Sequence, residues 1–430
     1  MGVPGYAPRL AAANLLKGVL EEGRLLSDLV QSASGPLASL PPQGKARAQS
    51  LAANTLRYLG RIDTVLDQFL QKEPPLPVRN ALRLAACEMI VDGIAPHAAV
   101  DAAVRMVKNN RQTTRLSGLA NAVARRVAEH GPEIWPDLAP TPLPPYLAKP
   151  LLATYGAAAV AGFEAAHEAG APLDISVHPS VDVAALAQAL NAESLPTGSL
   201  RLSEWGQISA MPGFDEGAWW VQDAAAALPA KLLGDVSGKT VLDLCAAPGG
   251  KTMQLAAAGA QVTALDLSAN RMARVRENLA RVELSADIVV ADVLAYTPAT
   301  KFDAILLDAP CSATGTIRRH PDLPYAKHDM ALAPLLNLQR DMLAEAAGWL
   351  KPGGELIYCT CSLFPEEGED QIIAFLAAHP EFSQLPADAK GIDPSWRDAG
   401  GGLRLRPDYW PGRGGMDGFY MARLKKKNQG

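Results

Sequence analysis

Short apolar runs alternate with segments of helical spacing from Trp219 to the C-terminal region, and this alternation constrains the fold most. Apolar runs bounded by turn residues are typical of parallel strands buried on both faces. Their alternation with helices predicts a doubly wound, Rossmann-like α/β sheet. Strands are expected at Thr240–Leu244, Gln261–Leu265, Ile288–Ala291, Phe302–Leu307 and Glu355–Thr360. Helices are expected at Lys251–Ala258, Ala269–Ala280, Ala333–Leu350 and Glu367–Ala378, with a last antiparallel strand at or near the sheet edge, Gly418–Leu424.

Two of these strands end in groups that can do chemistry. Asp308 and Cys311, separated by an Ala-Pro step, follow the strand that begins at Phe302, and Cys361 follows the next strand. In an open α/β sheet, ligands bind at the carboxyl ends of the strands. The sequence therefore predicts a site that contains one acid and two thiols.

The turn after the first strand has the composition of a ligand-binding loop. Its glycines allow close approach of a ligand to the backbone. A lysine at a helix N-terminus favours a carboxylate or a phosphate. The spacing matches neither G-x-G-x-x-G nor a Walker A loop, and a purely structural turn would leave the lysine and the small residues unexplained. The candidate binding residues are Cys245, Ala246, Ala247, Pro248, Gly249, Gly250 and Lys251.

Acidic residues end the next two strands. Asp266 can accept hydrogen bonds from a ribose diol, and Ser268 can cap the following helix, which leaves the acid available for a ligand. Asp292 is placed to face an adenine amine. An adenosyl ligand that carries a carboxylate, S-adenosylmethionine, fits this series better than a dinucleotide does.

A thiol beside a methyl donor indicates methylation at C5 of a pyrimidine. C5 is a poor nucleophile until a thiolate adds to C6, and Asp308 can hold the N3/N4 edge of a cytosine and share a proton. Cys359 is expected to be a core residue. C-x-C supplies too few ligands for zinc, and a disulfide between Cys311 and Cys361 does not suit a reducing cytosol. These arguments leave open which of the two thiols is the nucleophile.

The N-terminal part, from Ala7 to about Glu129, shows helical periodicity without a strand signal and predicts a helical bundle. The stretch from Ala102 to Ala128 contains no acidic residue. Its cations form either a solvated helix face or a surface that contacts phosphates. They are Arg105, Lys108, Arg111, Arg115, Arg125 and Arg126.

Seven prolines between Pro132 and Pro150 predict a stiff linker. A small α+β domain is expected after it, with a helix from Leu151, a strand at Asp174–His178 and strand-like pieces near Leu200 and Ile208. The expected domains are residues 1–135, 145–215 and 216–430.

Composition limits the environment of the protein. Of its 430 residues, 48% are hydrophobic and 20% are charged, which is typical of a globular protein. Five scattered cysteines indicate a reducing, cytoplasmic location, and the sequence shows no signal peptide and no apolar run long enough for a membrane. No metal site and no obligatory oligomer are expected. A net charge of −5 does not exclude RNA as a partner, because local patches bind phosphates.

Four motifs, CAAPGGKT, DAPCSATGTIRRHPD, TCSLFPEE and DGFYMARL, resemble those of the RNA 5-methylcytosine methyltransferases. The segments HAAVDAAVRMVKNN and SGLANAVARRV resemble the NusB-like domain. This combination is similar to the RsmB/Sun-type family, which methylates a cytosine in small-subunit (16S) ribosomal RNA. The resemblance covers nearly the whole chain and implies a class I methyltransferase fold behind a NusB-like RNA-binding domain.

The resemblance also implies residue roles. Cys361, in the Thr-Cys-Ser motif, is the expected nucleophile, and Cys311 is expected to assist product release. The contacts to S-adenosylmethionine fall on residues 245–251, Asp266, Asp292 and Asp308. Arg318, Arg319 and His320 are expected to contact RNA phosphates.

One departure concerns the middle domain. Many relatives carry an Arg-x-Asn step in its first strand, and residues 173–178 here contain no arginine. Three rival hypotheses stay open: another RNA target (tRNA or 23S rRNA), a DNA methyltransferase, and an RNA-binding adapter with an inactive methyltransferase domain.

Overall fold

A computed structural model describes residues 5–326 and 331–428, which divide into two compact units. Of the described residues, 5–170 and 317–326 form the first unit, and 171–316 and 331–428 form the second. This division differs from the domain boundaries expected from the sequence, because the range 145–215 is shared between the units. The outer ends of those expected domains, residues 1–4 and 429–430, lie outside the described residues.

The first unit is a helical bundle, as predicted. Apolar residues at helical spacing, such as Leu15, Leu16 and Val19 of the first helix, are fully buried in its core. Residues 42–67 form two helices rather than one, because the backbone leaves the helical region at Tyr58. The helices are α1 (Tyr6–Leu20), α2 (Leu26–Gln31), α3 (Pro42–Arg57), α4 (Leu59–Asp67), α5 (Leu76–Ile90), α6 (Pro96–Asn109), α7 (Ser117–Ile134) and α8 (Pro145–Ala169).

The prolines from Pro132 to Pro150 do not form the long linker predicted from the sequence. Pro132 lies within α7, and Pro145 occupies the first turn of α8, where the missing N–H needs no partner. The chain is non-helical at Gly156, with φ 79° and ψ 167°, so α8 is kinked there. Between the two helices, only residues 138–144 are without helical structure.

A segment distant in sequence completes the first unit. Residues 317–326 include the short helix α13 (Leu323–Ala326) and contact the bundle through polar groups. The buried carboxylate of Asp322 accepts a hydrogen bond at 2.8 Å from the N–H of Leu26, the first residue of α2. The Arg57 guanidinium donates to the carbonyl of Arg318 at 2.7 Å. These bonds satisfy a helix N-terminus and a loop carbonyl that would otherwise need water.

The second unit begins with a small antiparallel sheet of order β2-β3-β1-β4. Its elements are β1 (Leu173–Val177), α9 (Val183–Leu190), β2 (Glu193–Ser194), β3 (Leu200–Leu202) and β4 (Trp219–Val221). The strand-like piece predicted near Ile208 is wrong, because Ile208–Ala210 is a single turn of 3-10 helix. Asp174 of β1 forms a buried ion pair at 2.7 Å with Arg201 of β3.

The larger sheet of the second unit has the order β10-β12-β9-β8-β5-β6-β7, in which β10 is Phe382–Leu385 and β12 is Phe419–Lys426. Its parallel strands lie at or near the predicted positions, because their apolar runs form the core. The parallel strands are β5 (Thr240–Leu244), β6 (Gln261–Asp266), β7 (Asp287–Val290), β8 (Phe302–Asp308) and β9 (Leu350–Thr360). The helices are α10 (Leu228–Lys231), α11 (Gly250–Ala257), α12 (Ala269–Arg281), α14 (Leu332–Gly348) and α15 (Glu369–Ala378).

The strand order reverses between β5 and β8. The chain runs from β5 outward to β6 and β7 and then returns to place β8 on the other side of β5. Such a switch point opens a crevice at the carboxyl ends of the strands, where α/β proteins bind ligands. The loop after β5 and the loop after β8 border this crevice.

An antiparallel extension lies beyond β9. The last strand, β12 (Phe419–Lys426), pairs antiparallel with β9 near the sheet edge, as predicted. Two further strands were not predicted, β10 (Phe382–Leu385) and β11 (Leu403–Leu405), and both pair with β12. Each is only three or four residues long, too short for a periodicity signal.

Candidate active site

The two thiols predicted at successive strand ends lie side by side. Cys311 Sγ and Cys361 Sγ are 3.4 Å apart, within hydrogen-bond reach. They meet because β8 and β9 are neighbours, with Asp308 opposite Cys359 in the ladder. The N–H of Gly315 also donates to the carbonyl of Cys361 at 2.9 Å, which ties the loop after β8 to the end of β9.

The surroundings of Cys311 keep its proton in place. Its hydrogen bond with Cys361 and its burial raise the pKa of the Cys311 thiol well above the ordinary value, and the Glu367 carboxylate adds to the effect. Two thiolates at this separation would repel each other. With its pKa raised, the Cys311 thiol stays protonated and can donate a hydrogen bond.

Asp308 is the last residue of β8, three residues before Cys311, and is paired with Lys251. The Lys251 ammonium donates to Asp308 Oδ2 at 2.7 Å, and the thiol of Cys359 donates to Oδ1 at 3.6 Å. Burial lowers the pKa of Lys251, but the charge and hydrogen bond of Asp308, with the effects of Cys359 and Asp243, together outweigh burial, so the pKa is raised. Lys251 therefore stays charged, and its ion-pair partner in this structure is Asp308. Cys359 is a core residue, as expected, and is also a donor to this acid.

The loop after β5 packs small residues closely against neighbouring side chains. Gly249 has φ 104° and caps α11, a conformation that favours glycine. A Cβ at Gly250 would lie 3.2 Å from Gln222 Cδ. Cys245 adopts φ 59°, which is uncommon for a residue with a side chain, and burial raises the pKa of its thiol. Of the rest of the loop, Ala246 and Ala247 are buried and Pro248 is exposed.

Asp266 is less available to a ligand than the sequence suggested. Ser268 does cap α12, as predicted. Asp266, however, already accepts hydrogen bonds from the N–H groups of Ala247 at 3.2 Å and Ser268 at 2.9 Å. Arg271 forms an ion pair with it at 3.3 Å. A carboxylate offers about four acceptor positions, so one remains for a ribose hydroxyl.

The neighbouring strand ends carry exposed apolar side chains. Asp292 caps a short turn by accepting from the N–H of Leu294 at 3.0 Å, and its side chain is exposed. Leu267 is 72% exposed and Leu294 is 43% exposed. Leu267 follows β6, and Leu294 lies just beyond the adjacent strand β7. Exposed leucines beside acids provide the apolar surface and acceptors that a purine needs.

These features fit an adenosyl ligand with a carboxylate. The glycine loop admits close backbone approach, the N-terminus of α11 attracts a negative group, and the acids at the ends of β6 and β7 can accept from hydroxyl and amine donors. The loop, Asp266, Asp292 and Asp308 all follow strands of one sheet. No group of three or more potential metal ligands occurs in residues 5–326 and 331–428. Across the same residues, no helix has the length and apolarity to cross a bilayer.

Two polar residues near the thiols were not found from the sequence. Glu367 and Gln339 are both fully buried and contact the loop that carries Cys311. Glu367 stands in a pair of glutamates after the Thr-Cys-Ser motif, which was the signal available. Gln339 lies in the middle of the amphipathic α14, where a polar residue gives no signal of its own. The basic partner of Asp266, Arg271, was also missed.

The expected phosphate contacts after the catalytic loop are partly wrong. Arg318 is 0% exposed, because residues 317–326 pack into the helical unit, so its side chain cannot reach a phosphate. Arg319 and His320 are exposed. The six cations between residues 105 and 126 are also exposed, although Arg105 pairs with Asp101 at 2.8 Å.

Comparisons with known proteins agree with the fold and the motifs. Residues 230–425 match the family described as 16S rRNA methyltransferase RsmB/F, and residues 7–129 match the NusB family. The ribosomal RNA small subunit methyltransferase B of Sodalis glossinidius is 36% identical, with 99% of each chain covered. Its counterpart in Pseudomonas putida is also 36% identical, over 97% of this chain and 98% of the relative.

A solved structure supports the same conclusion. The crystal structure of a methyltransferase homolog protein from Pyrococcus horikoshii is 27% identical, with a TM-score of 0.54. It covers 66% of this chain and 100% of its own length. The family expected from the motifs is thus confirmed. This chain belongs to the 16S rRNA methyltransferase RsmB/F family, enzymes that use S-adenosylmethionine, and it carries a NusB-family domain at its N-terminal end.

Proposed function

We propose that this chain methylates C5 of a cytosine in 16S ribosomal RNA through a covalent bond between Cys361 and C6 of the base. The observation that carries the proposal is the 3.4 Å separation of Cys311 Sγ and Cys361 Sγ, which follow the neighbouring strands β8 and β9. The Asp308–Lys251 pair lies at the end of the same strand β8. A single thiol would suffice for addition to C6. A second thiol at this distance supports a distinct step that follows addition.

The protein groups divide the reaction between them. The Cys361 thiolate adds to C6, and C5 becomes nucleophilic. When bound, S-adenosylmethionine supplies an electrophilic methyl group. After transfer, the C5 proton leaves to water, the C6–Sγ bond breaks and the cytosine ring regains aromaticity. The Cys311 thiol donates a hydrogen bond to the departing Cys361 thiolate, consistent with the raised pKa that keeps Cys311 protonated.

Asp308 orients the target base in this proposal. Its side chain is 29% exposed, and Lys251 forms an ion pair with it at 2.7 Å on one side. The exposed part of the carboxylate can accept from the exocyclic amine of cytosine, which uracil lacks. The donor loop from Cys245 to Lys251, with Asp266 and Asp292, holds S-adenosylmethionine.

The helical unit binds the RNA through phosphate contacts. The exposed cations from Arg105 to Arg126 lie on α6, on α7 and between them. They supply sequence-independent affinity that falls with added salt. The proposal places the enzyme in the cytoplasm, with RNA as its partner and with no membrane, metal or second copy required.

A covalent-trapping assay tests the thiol roles. Cys311→Ala and Cys361→Ala variants are incubated with 16S rRNA and S-adenosylmethionine and run on denaturing gels. We expect a protein–RNA adduct with Cys311→Ala and none with Cys361→Ala. Cys87→Ala, a buried thiol of the helical core, is the matched control and should behave like the wild type. The reverse pattern would exchange the roles of the two thiols.

Substrate competition tests the rival functions. Labelled methyl transfer is measured to RNA and DNA versions of one stem-loop, with tRNA and 23S rRNA as further acceptors. Preference for 16S rRNA supports the proposal. Transfer to DNA would indicate a DNA methyltransferase, and transfer to tRNA or 23S rRNA would reassign the target. RNA binding without methyl transfer to any acceptor would indicate an adapter.

A further inference from the structure

Both peptide groups that flank Cys311 are held by buried polar side chains. The Gln339 amide donates to the carbonyl of Pro310 at 2.8 Å, before the thiol. The N–H of Ser312, after the thiol, donates to Glu367 Oε1 at 2.9 Å. The Gln339 amide also donates to the same carboxylate oxygen at 2.9 Å, so the two side chains act as one unit.

Glu367 is in turn fixed to the strand that carries Cys361. The hydroxyls of Tyr358 and Thr360, both on β9, donate to the main-chain carbonyl of Glu367 at 2.9 and 3.1 Å. Its side chain receives the Ser312 hydroxyl as well as the Ser312 N–H. Glu367 therefore joins two side chains of β9, the strand that precedes Cys361, to the backbone beside Cys311.

A hydroxyl network strengthens this link. Ser362, which follows Cys361, lies 3.0 Å from the hydroxyl of Ser312, which follows Cys311. Ser362 also lies 3.3 Å from the Thr314 hydroxyl. The residues next to the two thiols are thus hydrogen-bonded to each other, in addition to the contact between the sulfur atoms.

The arrangement is costly for a purely structural role. Glu367 and Gln339 are 0% exposed, and in the part of the chain that the structure describes the carboxylate is bonded to neutral groups rather than to a cation. Gln339 Oε1 has no partner there. Burying a carboxylate without a cation and leaving an amide oxygen unpaired both reduce stability. Such local costs are typical of functional sites.

We propose that Gln339 and Glu367 are positioning residues that hold the Cys311 thiol at the distance from Cys361 required for product release. This inference rests on the proposed function, in which Cys311 assists the departure of Cys361 from C6. Gln339 and Glu367 touch neither thiol in this scheme and act through the backbone on each side of Cys311. The bond between Cys361 and C6 can still form without them.

The variant Gln339→Met removes both amide hydrogen bonds at similar side-chain volume. A displacement of about 1 Å can cost on the order of 100-fold in a step that depends on alignment. We expect product release to slow by about 10- to 100-fold, while adduct formation changes by less than about threefold. The trapped adduct should therefore accumulate, as with Cys311→Ala. Glu367→Gln, which keeps one acceptor oxygen, should show the same pattern more weakly.

Single-turnover kinetics separate the two steps. Enzyme in excess is mixed with 16S rRNA and labelled S-adenosylmethionine, and adduct and free methylated RNA are measured over time. The matched control is Gln371→Met. Gln371 is also buried and also donates to a carbonyl of α14, that of Leu336 at 3.1 Å, but it does not contact the loop. Thermal melting of each variant identifies any loss of folding, and a folded Glu367→Gln replaces Gln339→Met if the latter unfolds.

A double variant distinguishes positioning from general damage. If Gln339 acts through Cys311, Gln339→Met adds no further slowing of release in a Cys311→Ala background. Additive slowing, equal slowing of both steps, or release at the wild-type rate would each overturn the positioning role. If Cys311→Ala accumulates adduct and Gln339→Met does not, only this inference fails. If no variant forms an adduct, the covalent mechanism fails and this inference fails with it.

Discussion

Asp243, in the middle of β5, should lower the stability of the protein above neutral pH. Its side chain is wholly buried; Oδ2 accepts from the Thr252 hydroxyl at 2.6 Å, and Oδ1 has no partner among the described residues. Burial raises its pKa from 3.8 to about 7, against the opposing effects of Thr252 and Lys251. The folded state thus binds a proton more tightly than the unfolded state, and the free energy of unfolding should fall as pH rises from about 4 to about 7.

The size of the effect follows from the two pKa values. Each pH unit in this range costs about 1.4 kcal/mol, so the full penalty above pH 7 is about 4 kcal/mol. Asp243→Asn carries no charge and keeps an acceptor for Thr252. The variant should therefore be more stable than the wild type by up to about 4 kcal/mol at pH 8, but by only about 1–2 kcal/mol at pH 5. For a unit of this size, the difference at pH 8 corresponds to roughly 10 °C in Tm.

Calorimetric melting of both proteins at pH 5 and pH 8 measures this difference. Asp287→Asn, at an exposed position at the start of β7, is the control and should leave the pH dependence unchanged. The reasoning is refuted if Asp243→Asn is no more stable than the wild type at pH 8. It is equally refuted if the stability gain is the same at both pH values. A gain that comes from removing the Asp243 charge must be larger at pH 8 than at pH 5.

Three further outcomes are expected. Asp322→Ala should lower the free energy of unfolding of the helical unit by about 1–2 kcal/mol in urea titrations, because the N–H of Leu26 loses a buried acceptor; an unchanged midpoint would contradict this. Leu267→Ser should weaken S-adenosylmethionine binding severalfold in calorimetric titration while Tm stays constant, since this leucine is 72% exposed. Arg319→Ala should reduce RNA affinity and lower by about one the magnitude of the slope of log affinity against log salt concentration. Arg318→Ala should instead lower Tm. Equal effects of the two variants on the salt slope would contradict the burial of Arg318.

The central sheet and its strand ends were predictable because their signals are local. β5 has the predicted bounds, and Ser268 caps α12 as expected. Each depends on a run of a few residues whose periodicity or capping chemistry is visible in the sequence. The neighbouring positions of Cys311 and Cys361 needed only one further assumption, that consecutive parallel strands lie side by side.

The errors concern partners that are distant in sequence. The backbone N–H of Ala247 and the side chain of Arg271 occupy Asp266, and neither contact is implied by spacing along the chain. Arg318 is buried because its segment joins the other unit, a tertiary effect that local composition does not carry. The Gln339–Glu367 contact joins residues 28 apart on two elements. Such contacts depend on how the elements pack together, and the local pattern of a single sequence does not reveal that packing.

The first unit is discontinuous in sequence, and this affects the order in which the protein can fold. During synthesis, the eight helices up to Ala169 emerge first, but Asp322, which caps α2, follows more than 150 residues later. At about 5–20 residues per second, the ribosome needs on the order of 10–30 s to produce the missing segment. Through that interval the nascent bundle lacks the buried Asp322 cap of α2. The bundle is complete only after the ribosome has translated the region of the messenger that also encodes the Cys311 loop.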